Sequence, residues 1–275
     1  MSEQNLINLL VDKLEPNLPG VVHENAGQAL VDIISSPSHA CSLLVGELES
    51  EQTLNKLFNF IISGSSKSAL FWGLQIIIEI VKRETGDEHE FKTTPLNNLP
   101  THLHVCGQHL KELVAILRDT NVVPFSTSVG QVTPIGTHRL KIVEFFAALI
   151  HKNYQSLDAI FLEYGVFDVC LDMFFSYLWN NFLHAIVTDM LYDFLETRPS
   201  DHTALFLSNC KLAERICLAS EGNVGDLSKP KGFSRGYMGF VNRISNKLVD
   251  MMETEPAIGA LLKNQAQWMN YVQGE

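Results

Sequence analysis

Residues 136–150 read Gly136-Thr-His-Arg-Leu-Lys-Ile-Val-Glu-Phe-Phe-Ala-Ala-Leu-Ile150, and this stretch decides the fold class. Its apolar residues recur at helical spacing along one stripe, which consists of Leu140, Val143, Ala147 and Ile150. Phe145 and Phe146 widen the stripe around the helix. Because a helix with so broad an apolar surface must be covered on more than one side, we predict that it lies between other helices.

A second apolar helix is predicted to follow the segment Trp179-Asn180-Asn181. Its buried stripe is expected to consist of residues at helical spacing, namely Leu183, Val187, Leu191 and Phe194. A polar stripe lies beside it at positions i, i+3 and i+7 and consists of Asn181, His184 and Thr188. We expect this polar stripe to be the exposed working surface of the protein.

The rest of the chain also predicts helix after helix, separated by short segments rich in proline, glycine or serine. No stretch alternates between apolar and polar residues over more than a few positions, so we predict an all-α fold. Residues 119–136 are the segment without a helical period. We expect this segment either to cross neighbouring helices in an extended form or to be a loose loop.

The number and length of the helices favour an armadillo- or HEAT-like α-solenoid. Roughly a dozen helices, joined in pairs by short turns, cannot bury their apolar faces pair by pair, so each pair needs its neighbours. The second helices of the pairs begin near Lys67, His138, Asn180 and Gly236. This spacing is irregular, so we predict degenerate repeats that form a single domain over residues 1–275. Because the first helix lacks a clear polar outer face, we expect the chain to begin partway along a longer array.

The charge of the chain argues against nucleic acid as a partner. The net charge is −11 and the pI is near 5.3, whereas phosphate contacts need clustered Lys and Arg. Residues 227–248 are an exception, because they contain no acidic residue and carry Lys229, Lys231, Arg235, Arg243 and Lys247. This basic segment is either a solvated loop and helix end or a docking patch for an acidic partner.

Cysteine usage and hydropathy indicate a soluble protein of a reducing compartment. The five cysteines are odd in number and scattered, and the chain has no Asn-x-Ser/Thr sequon. The longest apolar run, residues 69–78, is much shorter than the roughly 20 residues of a membrane helix. Since the polar N-terminus shows no signal-peptide pattern, we expect no membrane insertion and a cytoplasmic location, with the nucleus as a second compartment.

Candidate metal ligands occur together in residues 102–109. His102, Cys106 and His109 fall at i, i+4 and i+7 on one helical face. No Cys-x-x-Cys or His-Glu-x-x-His motif supplies further ligands, and the chain has no nucleophile elbow and no phosphate-binding glycine loop. We therefore expect an ordinary polar helix face at this position, no cofactor and no enzymatic activity.

Four segments of the chain form a recognisable series: Ser126-Thr-Ser-Val-Gly130, Pro134-Ile-Gly-Thr-His-Arg-Leu-Lys141, Phe174-Phe-Ser-Tyr-Leu-Trp-Asn-Asn-Phe-Leu-His184 and Arg235-Gly-Tyr-Met-Gly239. In order and spacing they resemble the SAPS-domain family, whose members are regulatory subunits of protein phosphatase 6 and of its fungal counterpart. The similarity covers residues 21–275. The last segment continues with Phe240, where the family usually has histidine, so no polar role is carried over to this position.

The resemblance implies a non-catalytic helical scaffold that binds the phosphatase catalytic subunit, directs it to substrates and recruits ankyrin-repeat subunits. In a solenoid, the second helices line a concave groove, which binds a partner by scattered polar contacts around aromatic anchors. We expect the partner-binding residues to be Arg139, Lys141, Trp179, Asn181, His184, Thr188, Arg235, Tyr237 and Arg243.

Several of these residues have a structural role as the alternative. Trp179 and Tyr237 would then lie in the core between repeats. Arg139 would satisfy the carbonyl groups of a helix end, and Asn180 would cap the helix that follows it. The glycines of Gly236-Tyr-Met-Gly239 are expected to let their helix approach a neighbour closely.

Two other functions stay open at this point. A solenoid adaptor for transport or trafficking cargo would share the architecture, and it would co-purify with cargo but with no metallophosphatase. A metal-dependent hydrolase would use the cluster around His102, and it would contain stoichiometric zinc.

Overall fold

The structure is a computed structural model that describes residues 6–37, 39–84, 90–119, 123–127, 130–221 and 235–274. Helices make up most of these ranges, so the predicted all-α class is confirmed. In chain order they are α1 Leu6–Asp12, α2 Gly20–Ser35, α3 His39–Leu48, α4 Glu51–Ile62, α5 Lys67–Arg83, α6 Thr101–Gln108, α7 Leu110–Arg118, α8 Thr137–Ile150, α9 Gln155–Tyr164, α10 Val166–Ser176, α11 Asn181–Thr197, α12 Ser200–Cys210, α13 Leu212–Glu221, α14 Met238–Thr254, α15 Pro256–Lys263 and α16 Ala266–Gln273. A 3-10 helix, Leu96–Asn98, precedes α6. Within the described ranges, no helix combines the length and the apolarity that a bilayer crossing requires.

The segment without a helical period contains a two-stranded hairpin. Strand β1, Phe125–Thr127, pairs antiparallel with strand β2, Gly130–Val132, and Phe125 is the partner of Val132. One of the two predictions for this segment was an extended backbone, and it holds for these two strands. The strands pair with each other. Phenylalanine, threonine and valine favour an extended backbone, which explains why strands form here.

The chain divides into two compact units. The first comprises the described residues within 1–88 and 92–164, and the second comprises those within 89–91 and 165–275. Helices α1–α9 and the hairpin belong to the first unit, and α10–α16 belong to the second.

In the first unit, α5 is the central helix. It packs against α2, α4 and α8, and Ile76, Ile77 and Ile80 are fully buried along it. The contact of α2 with α5 is close, because a Cβ atom on Gly27 would lie 2.5 Å from Cε3 of Trp72. The row α2, α5 and α8 therefore joins helices that are three positions apart in the helix order.

Residues 137–150 form α8, which packs between other helices as predicted. Val143 and Ile150 of its predicted stripe are buried, whereas Leu140 and Ala147 are half-buried. Phe145 and Phe146 have no exposed surface, and the Phe145 ring meets the Phe58 ring edge-on at a centroid distance of 6.2 Å. Helices α5, α7 and α9 pack against α8. Burial by three neighbours follows from the apolar residues around most of its circumference.

In the second unit, neighbouring helices have the same separation in the helix order. α11 lies beside α14, α12 beside α15 and α13 beside α16. Aromatic rings fill the core: the Phe167 centroid lies 5.0 Å from that of Phe194 and 4.7 Å from that of Phe206. Such ring pairs contribute about 0.5–1.5 kcal/mol each beyond the burial of their area.

Besides helices that follow each other in the chain, helices three positions apart therefore pack together in both units, where the predicted pairs implied a separation of two. The helices expected near Lys67, His138, Asn180 and Gly236 are α5, α8, α11 and α14. Residues 101–118 form two helices, α6 and α7. The break between α6 and α7 lies at His109, whose φ of −104° ends the first of the two helices.

Candidate interaction surface

The turn before α11 packs against the start of α14. A Cβ atom on Gly236 would lie 2.6 Å from the carbonyl oxygen of Leu178 and 3.0 Å from Cε3 of Trp179. The backbone contact leaves no room for a side chain, so glycine is required at this position. The predicted close approach is confirmed at Gly236, whereas a Cβ atom on Gly239 would meet open space.

Tyr237 forms the centre of an aromatic cluster next to this turn. Its side chain is fully buried, and its ring centroid lies 5.7 Å from that of Phe174 and 5.5 Å from that of Phe175. Nη1 of Arg235 donates to the Tyr237 hydroxyl at 2.7 Å, which satisfies the polar end of the buried ring. Tyr237 is therefore a core residue, as its structural alternative predicted.

His184 is buried beside the same cluster. Its Nε2 donates to the carbonyl oxygen of Phe174 at 3.1 Å, since a carbonyl group can only accept. Burial lowers the pKa of His184, because desolvation disfavours the charged ring. His184 is therefore a neutral core residue that links α10 to α11.

The polar stripe on α11 is largely buried, so the prediction of an exposed surface is wrong for His184 and Thr188. Both side chains have no exposed surface, whereas Asn181 is exposed. The Thr188 hydroxyl donates to the backbone carbonyl of His184 at 2.7 Å, which satisfies it within its own helix. The His184 ring also lies 5.6 Å from the Phe240 ring, so α14 covers this side of α11.

Asn180 holds the first turn of α11. Its Oδ1 accepts a hydrogen bond from the backbone N–H of Leu183 at 3.0 Å, which confirms the predicted helix cap. Its own backbone N–H donates to the carbonyl oxygen of Tyr177 at 3.1 Å. These two bonds fix the backbone on both sides of Trp179.

Replacing Asn180 by alanine is expected to lower the free energy of unfolding by about 1 kcal/mol, because the Leu183 N–H loses its cap. Asn181→Ala is the matched control, since Asn181 is exposed at the next position. Its change is expected to stay within about 0.5 kcal/mol. Urea denaturation of both variants measures the difference, and equal stabilities would contradict the capping role.

Two large apolar side chains are exposed where α11 begins. Trp179 is 59% exposed and Phe182 is 77% exposed. Single exposed apolar residues are common on proteins, but two exposed aromatic residues only three positions apart in the chain are a candidate contact surface. Trp179 is among the predicted partner-binding residues, and Phe182 is not. The sequence could have indicated Phe182, because this residue lies outside the predicted buried stripe of α11.

Arg243 is an exposed cation of α14 that adjoins the second half of α11. The Arg243 guanidinium lies 5.3 Å from the centroid of the Tyr192 ring of α11. The Tyr192 hydroxyl in turn donates to the Arg243 carbonyl oxygen at 2.8 Å. Four of the exposed residues carried by α11, α14 and the turn between α10 and α11 are called the α11–α14 surface below: Trp179, Asn181, Phe182 and Arg243.

The other cations of the basic segment have different positions. Arg235 is half-buried and is held by the Tyr237 hydroxyl. Nζ of Lys247 donates to Oε1 of Glu196 at 2.9 Å and so joins α14 to α11. Lys229 and Lys231 lie outside the described residues.

Arg139 and Lys141 lie in the first unit and are buried, so neither is a surface residue. Nη2 of Arg139 donates to the carbonyl oxygen of Leu117 in the last turn of α7, which confirms that it serves a helix end. Nζ of Lys141 donates to Oε1 of Gln75 at 2.7 Å and to Glu144. These two basic residues connect α8 to α7 and α5.

The cluster around His102 does not assemble as a metal site. α6 ends before His109, and the Nε2 atom of His109 lies within hydrogen-bond distance, 3.1 Å, of Oδ1 of Asn55. Cys106 is fully buried, and burial raises the pKa of its thiol far above the usual range. In the part of the chain that the structure describes, no group of three or more His, Cys, Asp or Glu residues is placed to hold a metal ion.

One protein-family model matches the whole chain. It is described as SAPS, SIT4 phosphatase-associated protein, and it covers residues 1–275. The chain belongs to the SAPS family. The resemblance carried by the four sequence segments is thereby confirmed.

The SAPS chain is similar to several curated proteins along its length. Serine/threonine-protein phosphatase 6 regulatory subunit 1 of Mus musculus is 25% identical over 324 residues, covering 100% of this chain and 38% of the relative. Regulatory subunit 3-A of Xenopus laevis is 27% identical over 297 residues, covering 93% of this chain and 34% of the relative. Extragenic suppressor of kinetochore protein 1 of Schizosaccharomyces pombe is 33% identical over 122 residues, covering 41% of this chain and 14% of the relative. The chain therefore spans at most 38% of the length of these relatives. No solved structure matches it.

Two of the four SAPS-like segments build the α11–α14 surface and its support. Residues 174–184 include Trp179 and Phe182, and residues 235–239 include Gly236 and Tyr237. The segment 134–141 leads into α8, and residues 126, 127 and 130 of the remaining segment lie in the hairpin. These two SAPS-like segments therefore meet at the turn before α11, where Trp179 and Phe182 are exposed.

Proposed function

We propose that this chain is a non-catalytic regulatory subunit of a protein phosphatase 6-type serine/threonine phosphatase. The observation that carries the proposal is the SAPS-family match over residues 1–275. The names of the mouse and Xenopus relatives, both phosphatase 6 regulatory subunits, support it. In this role the chain binds the catalytic subunit, directs it to substrates and needs no cofactor of its own.

The proposed architecture is an armadillo-like α-solenoid of degenerate repeats that acts as one domain over residues 1–275. The row α2, α5 and α8 in the first unit supports it, as does the contact of α11 with α14 in the second. Armadillo-type repeats stack equivalent helices in this way, because each repeat buries its apolar face only against its neighbours. The family match spans both units, which supports a single functional domain.

The α11–α14 surface is the proposed contact with the catalytic subunit. Trp179 and Phe182 are its anchors, because aromatic side chains provide most of the binding energy where they enter pockets of a partner. Their backbone is fixed before binding by the Asn180 cap and the Gly236 contact, so little conformational freedom is lost on association. Asn181 and Arg243 are proposed to contribute polar contacts beside the anchors.

The remaining predicted residues are proposed to support this contact from within the fold. Tyr237 and His184 hold α11 and α14 together, Thr188 is satisfied within α11, and Arg235 holds Tyr237. Arg139 and Lys141 connect α8 to α7 and α5 in the first unit, and we assign them no direct contact with a partner. Substitution of these buried residues is therefore expected to act through stability.

The proposal also covers further partners and location. Ankyrin-repeat regulatory subunits are proposed to bind the same scaffold. The protein is proposed to act in the cytoplasm, with the nucleus as a second compartment. The net charge of −11 supports protein partners over nucleic acid.

Affinity purification of the tagged chain from its own cells, followed by mass spectrometry, tests the proposed function. We expect a metallophosphatase catalytic subunit in about equal amount to the chain. Reconstitution of the purified chain with a phosphatase 6-type catalytic subunit, followed by native mass spectrometry, should yield a one-to-one complex. Recovery of transport or trafficking cargo without any phosphatase would overturn the proposal in favour of an adaptor.

A further inference from the structure

The first unit contains a cleft that is separate from the α11–α14 surface. It has a volume of about 510 Å³. Three segments line it: the turn between α4 and α5, the end of α7, and the residues that lead into α8. A cleft of this size is within the range of sites that bind small ligands or short peptide segments.

The cleft combines an apolar interior with basic groups. Its apolar lining includes Leu70, Ile116 and Ile135, and the basic residues among its lining are Lys67, His138 and Arg139. Asp119 is the acidic residue among the described residues that line it. With His138 neutral, the two cations Lys67 and Arg139 outnumber the one anion Asp119 in this lining, whereas the net charge of the chain is −11.

Lys67 is the accessible cation of the cleft. It is the first residue of α5 and is exposed, and within the described ranges its ammonium group has no ion-pair partner. Because Lys67 is exposed, a bound carboxylate can reach its ammonium group from solvent. The N-terminal end of α5 adds to the same positive potential.

His138 lies beside these cations in the lining of the cleft. Burial is the main cause that lowers the pKa of His138, and the charges of Lys67 and Arg139 lower it further. The neutral ring is held close to the backbone, since a Cβ atom on Gly136 would lie 2.7 Å from its Cε1 atom. Gly136 itself has a φ of 79°, which glycine adopts without strain. The wall of the cleft is thus shaped by the Gly136–His138 pair.

We propose that this cleft binds an acidic peptide segment of a partner protein, which places an apolar side chain against Leu70, Ile116 and Ile135 and a carboxylate against Lys67 and His138. Apolar burial would provide affinity, and the charge would select acidic over neutral sequences. The proposal goes beyond the phosphatase contact and does not depend on it, because it uses residues of the first unit alone.

Fluorescence anisotropy with two labelled decapeptides tests this proposal on the whole chain. The first peptide alternates glutamate and leucine, and the second replaces each glutamate by glutamine. We expect the acidic peptide to bind and the neutral peptide to bind at least about tenfold more weakly. Raising the salt concentration from about 0.15 M to about 0.5 M should weaken the acidic peptide further, since screening reduces attraction between exposed charges.

Charge reversal at one position localises the effect. Lys67→Glu is expected to weaken the acidic peptide about tenfold, while Lys67→Arg should retain its binding. Lys263→Glu in the second unit makes the same change of net charge at an exposed residue, so it separates the local charge from the total charge. It should change binding by less than about twofold.

Hydrogen exchange gives a second, independent test of where the peptide binds. Binding of the acidic peptide should protect amides of residues 64–70 and 135–139. Three results would each overturn the proposal: no binding below about 1 mM, equal affinity for the glutamine peptide, or equal affinity of the Lys67→Glu variant. Protection confined to other segments would overturn it as well.

Discussion

Replacing Phe146 by alanine is expected to lower the free energy of unfolding of the first unit by about 3–5 kcal/mol. The Phe146 side chain has no exposed surface, and α8 is packed by α5, α7 and α9. Alanine would leave a cavity that the neighbouring helices fill only in part, so the dispersion contacts of the lost ring are not replaced. Urea denaturation, monitored by circular dichroism, measures the lost free energy of unfolding. Hydrogen exchange of the α8 amides assigns this loss to the first unit.

Phe182→Ala is the matched control for this experiment, because it makes the same chemical change at a side chain that is 77% exposed. We expect its effect on unfolding to stay within about 0.5 kcal/mol. A loss below about 1 kcal/mol at Phe146 would show that α8 does not depend on this ring for its packing.

Replacing Trp179 and Phe182 together by alanine is expected to weaken binding of a phosphatase 6-type catalytic subunit by about 100-fold, equal to about 2.7 kcal/mol. The two rings are the large exposed apolar groups of the α11–α14 surface. Their removal takes away the anchors but leaves in place the Asn180 cap and the contact of Gly236 with the Leu178 carbonyl oxygen. Biolayer interferometry with the immobilised catalytic subunit measures the change, which we expect mainly in the dissociation rate.

Leu205 and Leu218 offer a matched control, because both lie in the second unit and are 52% and 55% exposed. Their double replacement by alanine removes exposed apolar area away from the α11–α14 surface and should change binding by less than about twofold. Thermal unfolding of both double variants should match that of the wild type. Unchanged binding after loss of Trp179 and Phe182 would move the contact elsewhere, even if the complex itself forms.

The helices were predictable where burial depends on side chains three and four residues apart. α11 shows this most clearly, because its whole predicted stripe is buried. In α8, Val143 and Ile150 of the predicted stripe are buried, whereas Leu140 and Ala147 are half-buried. The cap at Asn180 and the close approach at Gly236 were also readable, since each follows from the short-range chemistry of one residue type. All the residues that determine such features lie within one or two helical turns of each other in the chain.

The helix order was harder to predict because some breaks have no strong local signal. Residues 101–117 look like one amphipathic helix, yet the backbone breaks at His109, whose ring stacks on Phe58 of α4 at a centroid distance of 4.4 Å. That contact joins residues far apart in the chain. The separation of three positions depends on such breaks, because α2, α5 and α8 are three positions apart only when α3, α6 and α7 are separate helices.

The sequence by itself determined the SAPS family, the all-α class and the apolar stripes that face the core. Only the tertiary structure decided which polar and aromatic residues meet solvent. His184 and Thr188 are polar but buried, because α14 packs over their side of α11, while Phe182 is apolar but exposed. Helical spacing states which residues share a side of a helix, but the neighbour that covers that side comes from a distant part of the chain.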